Sequence, residues 1–197
     1  MLKALVITIL TAAFLGVFFA RNLLVRARIG KRVQFRTPLV RLSIVLSTLI
    51  FTVANVSLWS EDVYRLAGPV PFLNTPVVYW TGVILFVAGL ILQGITSQQL
   101  RDSWRVGFRI GERTELIQTG LYRRIRNPYF LAYFMVFFAL FLSRPSGVLF
   151  LLMAPSVGAF HAMVLQEERH LTAVHGNAYE AYMRRTGRYL PKRPTTY

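Results

Sequence analysis

Five apolar runs constrain this chain more than any other feature of its sequence. They cover about residues 4–20, 42–59, 77–95, 129–142 and 147–165. A helix needs about 20 apolar residues to cross a hydrocarbon layer about 30 Å thick. Only 16% of the 197 residues are charged, which is low for a soluble protein. We therefore predict an all-α integral membrane protein with about five transmembrane helices, in a single membrane domain over residues 1–197.

The order of the runs divides this domain into two parts. Residues 1–95 hold the first three spans, and residues 96–197 hold a helical hairpin, 129–165, followed by a tail, 166–197. The first span resembles the apolar part of a secretory signal. It ends in Phe18-Phe19-Ala20-Arg21, which is not a small-x-small cleavage site, so we expect it to be retained as a helix.

The basic residues are distributed unevenly between the two sides of the predicted membrane. The chain has 23 Lys plus Arg against eight Asp plus Glu. Seven of the cations lie between spans one and two, seven between spans three and four and six after span five, against three elsewhere. Because cations near span ends favour the cytoplasm, we expect the N-terminus outside and the C-terminus cytoplasmic. Compact size and the lack of an organelle signal favour a prokaryotic inner membrane.

Several classes of function are excluded by composition. Without cysteine there is no disulfide, thiolate nucleophile or iron–sulfur ligand. Glu167 and His170 form a lone i, i+3 pair, so we expect no metal site. The cations flank apolar spans and not exposed aromatics, so we expect no nucleic-acid partner. Arg41 and His161 are too few ionisable residues for an ion pathway; we expect Arg41 to reach the headgroups and His161 to hydrogen-bond a neighbour.

The long connection over residues 98–128 is one candidate for a functional segment. Loops of about thirty residues between helices are usually functional. Gly120 permits a positive φ or a close backbone approach. Pro128 suits the first turn of a helix and disfavours helical geometry at Asn127, so we expect Asn127 to be the N-cap of span four. The amides of such a helix start can also hold an anionic group.

The second candidate segment, residues 166–194, begins with two acids. Glu167 and Glu168 follow the C-terminal end of span five, where the helix dipole disfavours negative charge. They therefore need a cationic partner. An arginine of the chain would make this a structural salt bridge, and the functional alternative is a bound cation with an amino or sulfonium group.

Five short motifs stand in order along these two segments. They are Gly120-Leu121-Tyr122, Arg126-Asn127-Pro128-Tyr129-Phe130, Glu167-Glu168-x-x-Leu171, Gly176-x-x-Tyr179-x-x-Tyr182 and Arg188-x-x-Pro191. In this order they resemble the isoprenylcysteine carboxyl methyltransferase family and the related membrane phospholipid methyltransferases. The resemblance covers about residues 104–191, and the first two spans carry none of it.

The resemblance implies an enzyme that binds S-adenosylmethionine in a cytoplasmic pocket formed by the loop and the C-terminal tail. Residues 96–197 would then be the cofactor-binding half. Glu167 would face the cationic part of the cofactor, and the start of span four would hold its carboxylate. The residues implied to contact the cofactor are Thr114, Glu115, Leu116, Ile117, Gly120, Tyr122, Asn127, Pro128, Tyr129, Phe130 and Glu167.

The resemblance also implies a lipid-like or prenylated methyl acceptor that enters from the bilayer, with membrane lipids as partners. Two departures bear on this expectation. Asn127 replaces the family's His, which leaves no acid–base group at that position. Met163 replaces an Arg that is thought to hold the substrate carboxylate, so Arg123 and Arg126 become candidates for substrate binding. An amine or hydroxyl acceptor must lose a proton, and Glu168 and His170 are the candidate catalytic bases.

Two further functions fit the same layout. A membrane reductase of the sterol type would use NADPH in a similar C-terminal half. A non-catalytic membrane scaffold would use its basic loops to bind anionic lipid. The sequence does not specify the oligomeric state.

Overall fold

The described part of the chain is a bundle of helices. The computed structural model describes residues 1–29, 37–100 and 116–192. Within these ranges no strand forms, and two isolated bridges join Pro69 to Ser146 and Ile125 to Gly187. The helices are α1 (Leu2–Ile29), α2 (Pro38–Trp59), α3 (Glu61–Leu66), α4 (Pro76–Gln99), α5 (Pro128–Ser143), α6 (Gly147–His175) and α7 (Asn177–Arg185), with 3₁₀ turns at Pro71–Leu73 and Gly120–Arg123. The predicted all-α class is confirmed.

Local sequence explains where the long helices begin and end. Thr37, Thr75 and Ser146 each accept a backbone N–H three residues on, at 3.3, 3.3 and 3.4 Å, and so cap α2, α4 and α6. Proline follows the first two caps, at the position where its missing N–H is harmless. Helix α6 continues beyond the predicted span to His175, and Gly176 ends it with a φ of +52°.

Successive long helices run in alternating directions between two ends of the bundle. At one end, the Trp59 indole donates to Thr8 at 2.9 Å and the Tyr79 hydroxyl donates to the Lys3 carbonyl at 2.9 Å. Arg144 pairs with Glu61 at this same end. We call it the opposite end, because it lies opposite the basic end that is defined next. The other end, here the basic end, therefore contains the last turns of α1, α4 and α6 and the first turns of α2 and α5. The three cation-rich segments of the sequence are the connection between α1 and α2, the connection between α4 and α5, and the tail after α6. Each of them begins or ends at the basic end.

Four of the described helices, α1, α2, α4 and α6, are long and apolar enough to cross a membrane. Helix α5 is apolar but has 16 residues, so it is about 24 Å long at 1.5 Å per residue and shorter than the hydrocarbon layer. It still runs from the basic end to the opposite end. The protein is thus an integral membrane protein with four long helices and one shorter antiparallel helix.

Close backbone packing holds α5 against α4. A Cβ on Gly89 would lie 2.9 Å from a Val136 methyl and 3.1 Å from the Ala132 carbonyl oxygen, whereas a Cβ on Gly94 would meet nothing within 4 Å. Buried aromatic rings fill the space beside this contact, where Phe14 packs edge-on against Phe86. The shorter helix is therefore held by side-to-side packing in the bundle.

We expect Gly89→Ala to lower the unfolding midpoint in detergent, because the new methyl group must push α5 away from α4 at about 1–3 kcal/mol. Gly94→Ala on the same helix is the control. It should be neutral or stabilising, because alanine is the better helix former by about 1 kcal/mol. Equal midpoints for the two variants would contradict the close contact.

The predicted orientation can be measured by labelling, because the wild-type chain contains no cysteine. Leu66 is 86% exposed at the opposite end, and Arg184 is exposed at the basic end. With the N-terminus outside, a membrane-impermeant maleimide should label Leu66→Cys in intact cells and Arg184→Cys only after permeabilisation. The reverse pattern would invert the topology.

Candidate functional site

A cavity opens between the basic ends of four helices. It encloses about 1310 Å³ of empty space, counting its open mouth. Near the basic end its wall is polar, with Tyr122, Arg126, Asn127, Gln166 and Glu167. Further into the bundle the wall is mainly apolar, with Phe18, Phe51, Phe130, Phe160 and Met163. A concave, mostly apolar space with a few polar groups at one end is typical of a small-molecule site.

The carboxylate of Glu168 lies behind the polar wall and holds two of its residues, Arg126 and Asn127, in place. It is buried, and one oxygen accepts from Arg126 Nε at 3.0 Å and from Asn127 Nδ2 at 2.9 Å. The other oxygen accepts from Arg188 Nε at 3.0 Å and Nη2 at 2.7 Å. Hydrogen bonding to Glu168 raises the pKa of Arg188. One buried acid thereby joins three segments that are far apart in the sequence.

Backbone pairing completes the joint between the loop before α5 and the tail. The amides of Arg126 and Asn127 donate to the carbonyls of Gly187 and Arg188 at 2.8 and 3.0 Å, and the Gly187 amide donates back to Arg124 at 3.2 Å. Any Cβ on Gly187 would collide with the Leu190 carbonyl oxygen, so only glycine fits there.

Side chains fasten the tail at further points. The Tyr182 hydroxyl donates to the Tyr122 carbonyl at 2.6 Å, and burial raises the pKa of Tyr182 to about 12. His161 Nδ1 lies 2.7 Å from the Tyr189 hydroxyl, which confirms the expected hydrogen bond of that histidine. Arg126 also donates to the Met183 and Thr186 carbonyls at 3.2 and 2.6 Å, at the end of α7.

The predicted capping role of the Asn127 side chain is wrong. Asn127 occupies the N-cap position of α5, but its side chain makes no capping hydrogen bond and donates to Glu168 instead. The amide N–H₂ group donates to the buried carboxylate in a charge-assisted hydrogen bond, and this bond fixes the direction of the side chain. Asn127 therefore ties the start of α5 to α6.

Glu167 differs from Glu168 although the two are neighbours. One step along a helix turns a side chain by about 100°, so Glu167 faces the cavity while Glu168 faces the tail. Within the described residues Glu167 has no hydrogen bond or ion pair. Its charge is close enough to act on Tyr122, whose pKa is raised well above its usual value by burial first and by Glu167 second.

Two explanations were offered for this acidic pair, a structural salt bridge and a bound cation. Each of them fits one of the two acids. Glu168 has the predicted arginine partners, and Glu167 presents its carboxyl group to the cavity with no cation beside it in the described structure.

About half of the residues implied to contact the cofactor lie on the cavity wall. Those that do are Tyr122, Asn127, Tyr129, Phe130 and Glu167. Leu116, Ile117, Gly120 and Pro128 are not part of the wall. Gly120 has a φ of +60° and packs against the Gln99 side chain, which accepts from the Leu121 amide at 3.0 Å, so its glycine is needed for the turn itself. Thr114 and Glu115 lie outside the described residues.

The remaining predicted site residues have different surroundings. Arg126 lines the cavity but bonds to Glu168, and Arg123 is exposed at the surface. Glu168 faces away from the cavity, and His170 is not part of its wall, so the catalytic roles suggested for them stay predictions that this geometry does not favour. Among the residues described here no three His, Cys, Asp or Glu side chains come together as a metal site.

Sequence reasoning missed the contribution of the first two helices. Leu15, Phe18 and Phe19 of α1 and a row along α2 form one side of the cavity, and Tyr133 of α5 joins them. The row on α2 has helical spacing: Val40, Ser43, Ser47 and Phe51. Its small hydroxyl residues were the available signal, because they leave room beside a helix.

Comparison with known proteins identifies the class. The family model for phospholipid methyltransferases matches residues 77–178, which is more than half of the chain. The chain belongs to this family of membrane proteins.

One curated relative is the methanethiol S-methyltransferase of Pseudomonas sp. (strain GM41(2012)), 27% identical over 169 residues. That alignment covers 79% of this chain and 61% of the relative, so the chain spans about three fifths of the relative's length.

Loss of the Glu168 charge should release the tail. Glu168→Gln leaves Arg126 and Arg188 without their carboxylate, and breaking a buried pair costs about 3 kcal/mol. We expect a lower unfolding midpoint and faster trypsin cleavage after Arg184 and Arg185. The control is Glu180→Gln, which removes an exposed pair at 4.0 Å and should change little. If trypsin cleaved Glu168→Gln no faster than wild type, the role of Glu168 in joining the tail to the loop before α5 would be contradicted.

Proposed function

We propose that this protein transfers a methyl group from S-adenosylmethionine to a hydrophobic, lipid-like acceptor that reaches the cavity from the bilayer. The observation that carries the proposal is the Glu167 carboxylate, which faces the cavity without a cationic partner among the described residues. In a chain with a net charge of +15, an acid kept away from the surrounding arginines suits a cationic ligand.

The residues on the wall fit the proposed donor. S-adenosylmethionine, when bound, supplies a methyl group on a positively charged sulfur. Glu167 would face its amino or sulfonium charge, and the rings of Tyr122, Tyr129 and Phe130 offer faces for cation–π contact and for the adenine. The first turn of α5 would hold the carboxylate. Methyl transfer is an in-line displacement, so the protein's contribution is to align the two reactants and to keep water out.

The apolar half of the cavity supports a hydrophobic acceptor. Phe19 of α1 and Ile44 of α2 line the cavity and are 60% and 40% exposed, so the cavity wall extends to the outer, lipid-facing surface of these two helices. A prenyl or acyl chain dissolved in the bilayer can enter there without crossing water.

The described wall favours acceptors without a carboxylate. Met163, at the position of the family's arginine, lines the cavity and its sulfur accepts from the Ser43 hydroxyl at 3.1 Å. Arg126, the candidate replacement, is engaged by Glu168. A prenylcysteine carboxylate would therefore lack a free arginine in this part of the cavity, which weakens isoprenylcysteine O-methylation as the reaction.

A hydrophobic or small thiol is the second candidate for the acceptor. The relative described above is a methanethiol S-methyltransferase, and a neutral, apolar wall suits a thiol better than it suits an anion. The family match favours methyl transfer over the reductase and scaffold hypotheses.

Calorimetry on the purified protein in detergent tests the cofactor. S-adenosylmethionine should bind, and Glu167→Gln should weaken binding about tenfold, because a charge-assisted contact to a cation contributes about 1.5–3 kcal/mol. Glu180→Gln removes an exposed acid outside the cavity and should leave the affinity unchanged. No heat of binding at millimolar ligand would overturn the proposal, and preferential binding of NADPH would favour a reductase.

A further inference from the structure

Helices α1 and α2 contact each other in the half of the bundle nearer the opposite end. Three successive levels of contact are Trp59 with Thr8, Asn55 with Thr11 and Phe51 with Phe14. Each level lies one turn further along α1 and one turn back along α2, as expected for antiparallel neighbours. One more turn reaches Phe18 and Ser47, and both of these residues line the cavity. The cavity therefore begins where this series of contacts ends.

We call the part of the cavity between the two helices the fork. Its walls include Leu15, Phe18 and Phe19 of α1 and Ser43, Ile44 and Ser47 of α2.

Aromatic rings close the inner end of the fork. The Phe14 ring lies 6.0 Å from the Phe51 ring and 5.0 Å from the Tyr133 ring, and Tyr133 lies 5.0 Å from Phe160, measured between ring centroids. Phe160 is seven residues before Glu167 on α6, so at 1.5 Å per residue the rings lie about 10 Å from the polar end of the cavity. The apolar space between them has a definite depth.

Ser43 and Ser47 leave room for a ligand along the α2 side of the fork. Ser43 contacts Met163, which is one turn inward from Glu167, and Ser47 lies a further turn inward. The Ser47 hydroxyl donates to the Ser43 carbonyl at 2.6 Å, and the Ser43 hydroxyl has the Leu39 carbonyl at 2.9 Å as an acceptor. Because both hydroxyls have partners inside the protein, a hydrocarbon chain can lie against them without leaving a polar group unsatisfied.

Small residues in membrane helices also serve close helix packing. Gly89 of α4 has that role, because a Cβ there would lie 2.9 Å from a methyl group of α5. Ser47 differs, since it lines the cavity. Its small side chain therefore contributes to the volume of the fork.

We propose that the fork binds the hydrocarbon chain of the methyl acceptor alongside Ser47, and that the Phe14–Phe51 contact limits the length of this chain. The proposal rests on the proposed methyltransferase function. It places the reacting atom at the polar end, near Glu167, and the end of the chain against the aromatic rings. Each methylene that fits loses contact with water, whereas one that reaches the rings finds no space.

The depth of the fork indicates the size class of the acceptor. A hydrocarbon layer about 30 Å thick contains two leaflets, so the tail of a membrane lipid spans about 15 Å. This is longer than the apolar space of about 10 Å between Glu167 and the rings. We therefore infer an acceptor whose chain is shorter than the tail of a membrane lipid.

Three straight-chain thiols test the limit: ethanethiol, octanethiol and hexadecanethiol. Each is titrated into the full-length protein in detergent with S-adenosylhomocysteine present, and affinity is taken from the dose-dependent rise of the unfolding midpoint. The chain has no cysteine with which a thiol could react. Because long chains also partition into micelles, every probe is compared between wild type and a variant, and never with another probe.

Two variants should change the affinities in opposite directions. We expect Ser47→Leu to weaken octanethiol binding about tenfold, because the larger side chain occupies the place of several methylenes. Ethanethiol is too short to reach Ser47 and should be affected much less. Phe51→Ala should strengthen hexadecanethiol binding about tenfold, because it opens the closed end of the fork. The matched control is Val45→Leu on the same helix, which is 55% exposed and not part of the cavity wall, and it should change none of the three affinities.

A loss of stability cannot produce both expected results, because one variant weakens binding and the other strengthens it. Equal effects of Ser47→Leu on all three thiols, or none on octanethiol, would overturn the proposal and indicate a chain that lies outside the fork. Hexadecanethiol binding that is unchanged by Phe51→Ala would overturn the length limit. Binding of no thiol to wild type would overturn the fork as the acceptor site. Failure of wild type to bind S-adenosylmethionine would instead overturn the proposed function.

Discussion

The buried carboxylate of Glu168 is the interaction on which the rest of the site depends. It accepts hydrogen bonds from Arg126 and Asn127 before α5 and from Arg188 in the tail, so it fixes both segments to α6. A buried acid is tolerable only when cations and N–H donors surround it, and here they do. Because Glu168 is fixed, the adjacent Glu167 is aimed into the cavity. Two neighbouring residues of α6 thus have different roles: Glu168 is a structural acid, and Glu167 faces the cavity.

Charge and hydropathy together place this site at one end of the bundle. Twenty of the 23 cationic residues belong to the three segments whose described parts adjoin the basic end, and Glu167 at that end is an acid without an ion pair in the described structure. Below it the cavity becomes aromatic and extends to the lipid-facing surfaces of α1 and α2. A polar mouth and an apolar interior therefore form one continuous space. This suits the proposed methyltransferase, whose charged donor would come from water and whose hydrophobic acceptor would come from the bilayer.

Sequence reasoning succeeded where the signal is local or repeated. The apolar runs predicted the long helices, because span length is set by bilayer thickness, and the motifs predicted the family. It failed at Asn127, whose side chain bonds to Glu168 across the fold and does not cap its own helix. It also missed α1 and α2 as walls of the cavity, because apolar helices look alike in sequence whichever face lines a space. The shortness of α5 was visible in sequence, but its close packing on Gly82 and Gly89 of α4 was not.

The sequence by itself determined that this is an all-helical membrane protein with its polar chemistry gathered beside the last three helices. Hydropathy and charge are sums over neighbouring residues, so they can be determined from the sequence without the structure. Only the tertiary structure decided which of two adjacent acids is paired, which tyrosine hydroxyls lie together, and which helices enclose the cavity. Those properties depend on side-chain direction and on contacts between residues far apart in the sequence, such as Asn127 with Glu168, which are 41 positions apart. No local pattern encodes them, because the same residue types would satisfy their hydrogen bonds differently in another packing.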